Sequence, residues 1–246
     1  MISKSLIKYV QSLHLRKYRQ KYNKFIAQGP KIAIEIIQSG KVDLEYIFGT
    51  SDFIENNQDL LSSHRSKVHI VSDKDLERIS TTKTANSVVL VGHKIQNDHK
   101  TELNNQWTLF LDKVQDPGNV GTIIRIADWF GISSVFLSPE CADLYNPKVL
   151  QSTMGGFLRV NVVNTEFHAL KVEYPELKVY ATHLKGKSMY ELDLKPGLIV
   201  IGNESKGIQD NIVDASNVLI AIPSKGKAES LNAAVACGII VANLLQ

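Results

Sequence analysis

Stretches of apolar residues alternate with polar, turn-forming stretches along most of the chain, and their spacing predicts α/β structure. After residue 106, continuous runs rich in Val, Ile and Leu alternate with segments of helical periodicity. Such runs are typical of parallel strands that are buried on both faces of a sheet. The runs predicted to be strands are residues 107–111, 134–137, 158–163, 178–181, 198–201 and 218–222. The sequence therefore predicts an α/β domain with a mostly parallel sheet and helices on both faces.

A second, shorter α/β pattern precedes a linker-like stretch at residues 93–106, which is polar and has no apolar period. The periodicity of residues 25–37 predicts a helix that Ser39-Gly40 terminates, and a further helix is predicted at 73–79. Short strands are predicted at residues 44–48, 68–71 and 88–91. The prediction is thus an amino-terminal domain at 1–97, a linker at 98–106 and the larger domain at 107–246.

The composition fits a globular protein with a substantial core, because 43% of the 246 residues are hydrophobic and 22% are charged. No apolar stretch approaches the roughly 20 residues that cross a bilayer, so we expect no membrane association. Two cysteines, Cys141 and Cys237, are too few for a disulfide framework or a metal cluster. We therefore expect a cytoplasmic protein without a metal site.

The net charge of +3 is unevenly distributed along the chain. Eight basic residues precede the first acidic residue, Glu35, whereas the rest of the chain carries 20 basic and 25 acidic side chains. This asymmetry predicts a basic arm in the first 31 residues, and a polyanion such as RNA is its natural partner. The predicted RNA contacts are Arg16, Lys17, Arg19, Lys21, Lys24 and Lys31. The aromatic residues interleaved with them, which can stack on bases, are Tyr9, Tyr18, Tyr22 and Phe25. An organelle-targeting peptide and the solvated face of a helix are the alternatives.

Three of the predicted strands are followed by polar residues with no evident structural task, and ligands collect at the carboxyl ends of parallel strands. After the strand at 107–111, Pro117-Gly118 predicts a turn, Asn119 can cap the next helix and Gly131 can end it. Arg125 lies in the second turn of that helix, beside its apolar stripe. An ordinary cap and a surface arginine are the simpler interpretations of Asn119 and Arg125.

The strand at 198–201 runs directly into Gly202-Asn203-Glu204, and Gly207 follows. Glycine permits a close approach of the backbone to a ligand, or a turn at positive φ. A phosphate-binding P-loop is excluded because Ile208 occupies the position of its lysine, and Ser205 lacks the G-x-S-x-G pattern of a hydrolase. A plain strand-to-helix turn is the simpler interpretation.

The strand at 218–222 ends at Pro223, and a basic loop then leads to Ser230-Leu231-Asn232 and an almost wholly apolar last helix. A helix that is apolar on all sides is buried, either in the core or at a subunit interface. Ser230 and Asn232 are predicted in its first turn, where free amides also suit ligand oxygens. A simple N-cap is the alternative role for Ser230.

These three segments, in this order and spacing, resemble the three signature motifs of the SpoU (TrmH-like) RNA methyltransferases. Asn119 and Arg125 match the first motif. Gly202-Asn203-Glu204 with Gly207 match the second, and Ile222-Pro223 with Ser230-Leu231-Asn232 match the third. The resemblance covers roughly residues 105–246, and residues 1–95 resemble more loosely the substrate-binding domain of the same family.

The resemblance implies an S-adenosylmethionine-dependent enzyme that methylates a ribose 2′-hydroxyl in structured RNA, with ribosomal RNA favoured. It also implies a carboxyl-terminal trefoil knot of the SPOUT type and a homodimer whose interface includes the last helix. The cofactor would be bound, largely through main-chain groups, by Thr182, Ile201, Gly202, Ile222, Pro223 and Leu231.

For the methyl transfer, the resemblance implies catalytic roles for Asn119, Arg125, Glu204, Ser230 and Asn232. Arg125 would act as the base, or would orient the target phosphate and hydroxyl and stabilise the oxyanion, since free guanidinium has a pKa above about 12. Asn119 and Ser230 would fix these groups by hydrogen bonds. Glu204 and Asn232 would shape the pocket and hold the donor or the loops.

Three other functions stay open at this point. The chain could be a tRNA ribose methyltransferase, a non-catalytic RNA-binding assembly factor on the same scaffold, or a knotted methyltransferase that modifies a base. The completeness of the motifs argues against an assembly factor. The combination of Asn119 and Arg125 with Ser230-Leu231-Asn232 argues against base modification.

Overall fold

A computed structural model describes residues 2–80, 87–96, 103 and 105–245 of the chain. The chain falls into two compact units. The amino-terminal unit comprises Met1–Gln96 and Tyr145–Leu158, and the carboxyl-terminal unit comprises Asn97–Leu144 and Arg159–Gln246. Most of the linker predicted at 98–106 lies outside the described residues.

The strands and helices are numbered in chain order. The strands are β1 (Lys24–Gln28), β2 (Leu44–Gly49), β3 (Val68–Ile70), β4 (Val88–His93), β5 (Thr108–Leu111), β6 (Ser134–Leu137), β7 (Asn161–Asn164), β8 (Val179–Ser188), β9 (Leu198–Ile201) and β10 (Val218–Ala221). The α-helices are α1 (Lys4–Ser12), α2 (Arg16–Tyr22), α3 (Pro30–Ser39), α4 (Ser51–Asn56), α5 (Gln58–Leu61), α6 (Asp73–Ile79), α7 (Pro117–Trp129), α8 (Pro147–Thr153), α9 (Phe167–Glu173), α10 (Asp210–Asp214) and α11 (Ala233–Leu244).

The amino-terminal unit is built on a four-stranded sheet with the spatial order β1-β4-β2-β3. β4 pairs antiparallel with β1 and β2, and β3 pairs parallel with β2. Ile7 and Val10 of α1 join Ile26, Phe48 and Val89 of the sheet in one buried cluster. The strands predicted at 44–48, 68–71 and 88–91 and the helix predicted at 73–79 are found as β2, β3, β4 and α6.

The helix predicted at 25–37 is wrong in its first part, because Lys24–Gln28 form the strand β1. Gly29 has a φ of 98°, and Pro30 then begins α3, so the chain turns sharply between strand and helix. The helix ends at Ser39, so the predicted termination at Ser39-Gly40 is confirmed, and Gly40 adopts the left-handed conformation. The apolar residues of β1 and α3 together have the spacing of one longer helix, and this spacing led to the wrong prediction.

The first 31 residues do not form a separate arm, because α1, α2 and β1 are integral parts of the amino-terminal unit. Arg19 is only 2% exposed, and its Nη1 donates hydrogen bonds to the carbonyl oxygens of Leu13 and His14 over 3.0 and 2.8 Å. Phe25 is fully buried. The RNA contact predicted for Arg19 and the stacking predicted for Phe25 are therefore wrong, since both side chains serve the interior.

Residues 145–158 belong to the amino-terminal unit, although the sequence places them within the larger domain. α8 packs on β1, and the ring centroids of Tyr145 and Phe157 lie 4.9 and 6.2 Å from that of Phe25. The Tyr145 hydroxyl accepts a hydrogen bond from the N–H of Ile95 over 2.8 Å. This segment therefore covers one side of β1.

The carboxyl-terminal unit contains a six-stranded sheet with the order β10-β8-β9-β5-β6-β7, and all its neighbouring strands are parallel. This arrangement confirms the predicted α/β class and the parallel sheet. The predicted strands at 134–137 and 198–201 coincide with β6 and β9. The strand predicted at 158–163 begins later, at Asn161, because Gly156–Leu158 form a 3-10 turn.

The two helices that follow the predicted ligand loops, α7 and α11, pack against each other. Asp116 caps α7, since its Oδ1 accepts from the N–H of Asn119 over 2.9 Å, so the cap predicted at Asn119 is wrong. Pro117 is the first residue of α7 rather than part of a turn, and Gly131 follows its end with a φ of 71°.

Asn232 caps α11, because its Oδ1 accepts from the N–H groups of Ala234 and Val235 over 3.0 and 3.2 Å. Ser230 thus precedes the helix. The prediction that it lies in the first turn of the helix is wrong. Throughout the described part of the chain, no helix combines the length and apolarity needed to cross a bilayer.

Candidate active site

The carboxyl ends of three neighbouring parallel strands define the candidate site. β8 lies between β10 and β9, so the residues at which these strands end or break share one edge of the sheet. Thr182 follows Ala181, the last residue of β8 that pairs with β9. Gly202 follows β9, and Ile222 follows β10. Three of the predicted cofactor residues therefore meet at this edge.

The loop after β9 is closed on itself by main-chain hydrogen bonds. The N–H of Asn203 donates to the carbonyl of Gly207 over 2.9 Å, and the N–H of Gly207 donates back over 3.0 Å. A Cβ on Gly202 would lie 2.6 Å from the carbonyl carbon of Gly207, and Gly207 itself has a φ of 69°. Both glycines are thus required by the tight backbone of this loop.

Two side chains to which the sequence analysis assigned no role, Asn203 of the second motif and Asp112, tie this loop to the residues that follow β5. Asn203 Nδ2 donates to the carbonyl of Lys113 over 2.7 Å. Asp112, which is fully buried, accepts from the main-chain N–H and the side-chain Nε2 of Gln209 over 2.8 and 2.7 Å. The position of Asp112, directly after a buried strand, was the available signal.

A chain of side-chain hydrogen bonds connects the three predicted motifs. Asn119 Nδ2 donates to Glu204 Oε1 over 2.7 Å, and Asn232 Nδ2 donates to Asn119 Oδ1 over 2.9 Å. Asn232 Oδ1 is in turn occupied by the first N–H groups of α11. Three of the five predicted catalytic residues are therefore in direct contact.

The hydrogen bonds in this chain all point toward Glu204. Each carboxamide accepts on its oxygen and donates from its nitrogen, and Glu204 Oε1 ends the series as an acceptor. The series begins at the N-terminus of α11, where the N–H groups of Ala234 and Val235 donate to Asn232 Oδ1. The arrangement thus fixes the orientations of both carboxamides.

The other two predicted catalytic residues are not part of this chain. Arg125 and Ser230 are both exposed, and in the described residues neither side chain has a hydrogen bond or an ion pair. Arg125 follows Asn119 by six positions, which places it on a different side of α7. In the described part of the chain, no hydrogen bond therefore links Arg125 or Ser230 to the other three predicted catalytic residues.

The loop between β10 and α11 offers main-chain donors to a ligand. Among the described residues, no N–H group from Ile222 to Leu231 donates a backbone hydrogen bond. Pro223 is exposed and Leu231 is 50% exposed, whereas Ile201 is buried at the end of β9. Unpaired amides beside apolar side chains suit a ligand that is recognised through main-chain groups.

Two depressions flank the hydrogen-bonded chain. A cleft of about 670 Å³ beside Glu204 is bordered by Lys113, Gln115, Lys206 and Gln209. On the other side, an apolar groove of about 510 Å³ runs between α7 and α11, past Ile126, Val235 and Ile239. A Cβ on Gly238 would lie 3.5 Å from Ile126 Cδ1, an ordinary contact distance, so the packing of the two helices does not require glycine there.

The basic residues predicted to contact RNA differ in their surroundings. Arg16, Lys17 and Lys21 are exposed on α2, and Lys31 is exposed on α3. Lys24 is half-buried and its Nζ lies 2.8 Å from a carboxylate oxygen of Glu45. The charge of Lys24 is therefore largely matched within the unit.

The described residues offer neither a reactive thiol nor a metal site. Burial raises the pKa of the Cys237 thiol to about 12 and also raises the pKa of Cys141. No group of three or more His, Cys, Asp or Glu side chains in the described part of the chain could hold a metal ion.

Family models match both parts of the chain. Residues 106–242 match the model described as the SpoU rRNA Methylase family, and residues 4–90 match the MRM3-like substrate binding domain. The first match alone spans more than half of the chain.

Individual relatives match over nearly the whole chain. The 23S rRNA (guanosine(2553)-2′-O)-methyltransferase RlmP of Bacillus subtilis (strain 168) is 29% identical, over 95% of this chain and 93% of its own. A structure from Porphyromonas gingivalis, assigned to the TrmH family of RNA methyltransferases, has a TM-score of 0.86 and 33% identity over 99% of this chain and 98% of its own. An AdoMet-bound rRNA methyltransferase from Sinorhizobium meliloti has a TM-score of 0.85 and 27% identity over 99% and 96%.

Proposed function

Since the chain belongs to the SpoU rRNA methylase family, we propose that it methylates a ribose 2′-hydroxyl of ribosomal RNA with S-adenosylmethionine as the donor. The observation that carries this proposal is the hydrogen-bonded chain Asn232–Asn119–Glu204 at the carboxyl edge of the parallel sheet. The Bacillus subtilis relative is named for ribose methylation of 23S rRNA, and the Sinorhizobium meliloti structure is AdoMet-bound. We also propose a cytoplasmic location, which the bacterial relative named for 23S rRNA supports.

The sheet edge fits a donor that is held by main-chain groups. Thr182, Gly202 and Ile222 belong to or follow three strands that are neighbours in the sheet, and the N–H groups of the loop that ends at Leu231 lack backbone partners among the described residues. Ile201 and Pro223 would add apolar contacts. When bound, S-adenosylmethionine supplies a methyl group activated by its sulfonium centre. The trefoil knot that the family resemblance implies is part of this proposal.

The remaining task falls to the polar side chains. A ribose hydroxyl is a weak nucleophile at neutral pH, so its proton must be accepted or its developing negative charge stabilised. The guanidinium of Arg125 would orient the target phosphate and hydroxyl and stabilise that charge. Ser230 and Asn119 would add hydrogen bonds, while Glu204 and Asn232 hold the loops in register.

We further propose a homodimer that uses the apolar groove between α7 and α11. Val235 in this groove is 52% exposed, and Trp129 at the end of α7 is 82% exposed. Apolar surface of this kind fits a second copy of the chain. Because Arg125 lies apart from Asn119 and Glu204 in one copy, it would complete the site of the other copy.

The function is tested with ribosomal RNA from a strain that lacks this gene. The purified protein and S-adenosylmethionine labelled in the methyl group should transfer label to this RNA, at a position that then resists alkaline cleavage. Label in transfer RNA alone would support a tRNA methyltransferase. Binding of the donor without transfer to any RNA would contradict the proposed activity.

A further inference from the structure

Four half-buried tyrosines in the amino-terminal unit form a continuous row that the sequence does not reveal. We name Tyr18, Tyr22, Tyr9 and Tyr46, in that spatial order, the tyrosine row. Successive ring centroids lie 6.1, 5.5 and 6.4 Å apart. His69 extends the row beyond Tyr46 at 5.5 Å. Two helices and two strands thus contribute rings to one surface.

Lysine ammonium groups lie over three of these rings. Lys17 Nζ is 4.9 Å from the Tyr18 ring centroid, Lys21 Nζ is 5.5 Å from that of Tyr22, and Lys24 Nζ is 5.8 Å from that of Tyr9. An aromatic ring with an adjacent cation matches a nucleotide, which presents a base to the ring and a phosphate to the cation. The pairing of rings and cations therefore selects for nucleic acid.

The two ends of the row differ in charge. At Tyr9, Glu45 accepts the phenol hydrogen bond over 2.7 Å and lies 2.8 Å from Lys24, so charge is balanced there. On α2, neither Lys17 nor Lys21 forms an ion pair within the described residues, and α2 contains no acidic residue. The α2 end is thus the electropositive end.

We propose that α2 binds an unpaired segment of the RNA substrate, with bases stacked on Tyr18 and Tyr22 and phosphates paired with Lys17 and Lys21. Stacking rings cannot insert into an intact duplex, so the surface selects unpaired nucleotides. This inference rests on the proposed function, because it assigns the RNA-binding mode of the same enzyme.

Packing within the amino-terminal unit would also bring tyrosines together. The experiment must therefore separate a role of these rings in folding from a role in RNA binding. Tyr9, Tyr22 and Tyr46 pack against the buried cluster, so their removal would disturb folding as well as binding. Tyr18 stands at the end of the row beyond Tyr22, and its ring is partly exposed. Tyr18→Leu is therefore the informative variant, and Tyr18→Phe, which keeps the ring, is its matched control.

The probe is an unpaired oligoribonucleotide of about ten nucleotides that carries 2-aminopurine, whose fluorescence falls on stacking. The full-length protein should quench it, and Tyr18→Leu should weaken binding about tenfold while Tyr18→Phe binds like the parent. Lys17→Gln and Lys21→Gln should each lower the slope of log affinity against log salt by about 0.7, and Lys74→Gln, on α6, should not. Equal binding of the matching duplex, or unchanged binding by Tyr18→Leu, would overturn the inference.

The same variants distinguish this inference from the proposed activity. With ribosomal RNA as substrate, Tyr18→Leu should raise KM for RNA and leave kcat and donor affinity unchanged. If Tyr18→Leu transferred methyl groups with the same KM for RNA as the parent protein, the stacking role would be contradicted and the proposed activity would not. If the parent protein transferred no methyl group but still bound the oligoribonucleotide in a way that depends on the Tyr18 ring, only the proposed activity would be contradicted.

Discussion

Asn119 donates a hydrogen bond of 2.7 Å to Glu204, a residue 85 positions further along the chain. This contact joins the first turn of α7 to the loop after β9. Its consequence is that neither residue can be altered without changing how the other is held, and the predictions below use that dependence.

Asn119→Asp should impair both loop order and activity, because it places a carboxylate oxygen where an N–H donor faces Glu204. We expect a loss of about 1 kcal/mol in the free energy of unfolding, measured by chemical denaturation. The double variant Asn119→Asp with Glu204→Gln restores a donor opposite an acceptor and should recover most of this loss. Additive effects of the two substitutions would show that the contact does not matter.

Two functions of Asn232 should be separable by substitution: it caps α11 through its Oδ1, and it links α11 to Asn119 through its Nδ2. Asn232→Ala removes the cap of α11 and should cost about 1 kcal/mol in unfolding free energy. Asn232→Asp keeps the acceptor for Ala234 and Val235 but loses the donor to Asn119, so stability should be retained while methyl transfer falls. If both variants were equally active, the link to Asn119 would have no catalytic importance.

Gly202→Ala should weaken binding of S-adenosylmethionine about tenfold or more, because the added Cβ would lie 2.6 Å from the Gly207 backbone and force the loop to move. Isothermal titration calorimetry measures the effect.

Arg125→Ala should lower kcat for RNA methylation about a hundredfold and leave donor affinity unchanged, since the exposed guanidinium has no partner to lose in the described residues. If Arg125 acts across the proposed dimer, mixing inactive Arg125→Ala with inactive Glu204→Ala should restore about a quarter of the parent activity. A mixture that stays inactive would place Arg125 in the site of its own subunit.

Stability should fall as the medium becomes mildly acidic, partly through His14. Burial lowers the pKa of this imidazole, which is held against the Ile79 carbonyl at 3.0 Å. Because the folded pKa lies below the unfolded value near 6.5, neutral His14 favours the fold above that pH, and the benefit is lost as pH falls toward the folded pKa. His14→Gln should make the denaturation midpoint depend less on pH between about pH 7 and pH 5. If the pH dependence of the midpoint were unchanged, other groups would be responsible for the loss of stability.

The sequence predicted those features that local pattern determines. Continuous apolar runs located β6 and β9 because parallel strands are buried on both faces. The motif spacing identified Asn119, Glu204 and Asn232. It did not identify Asp112 or Asn203 as anchors, because their partners lie 97 and 90 residues away and carry no pattern of their own. Counting cations likewise could not show that Arg19 is buried, since burial of a guanidinium depends on carbonyl groups that composition does not encode.

The contribution of residues 145–158 to the amino-terminal unit bears on how the polypeptide is made. A ribosome that has released only the first 96 residues has not yet supplied α8, so Phe25 lacks the rings of Tyr145 and Phe157 that later cover it. Domains whose segments are contiguous can fold as soon as they emerge. Here the first unit must wait for part of the second to be synthesised, and a truncation after residue 96 would produce an unfinished core.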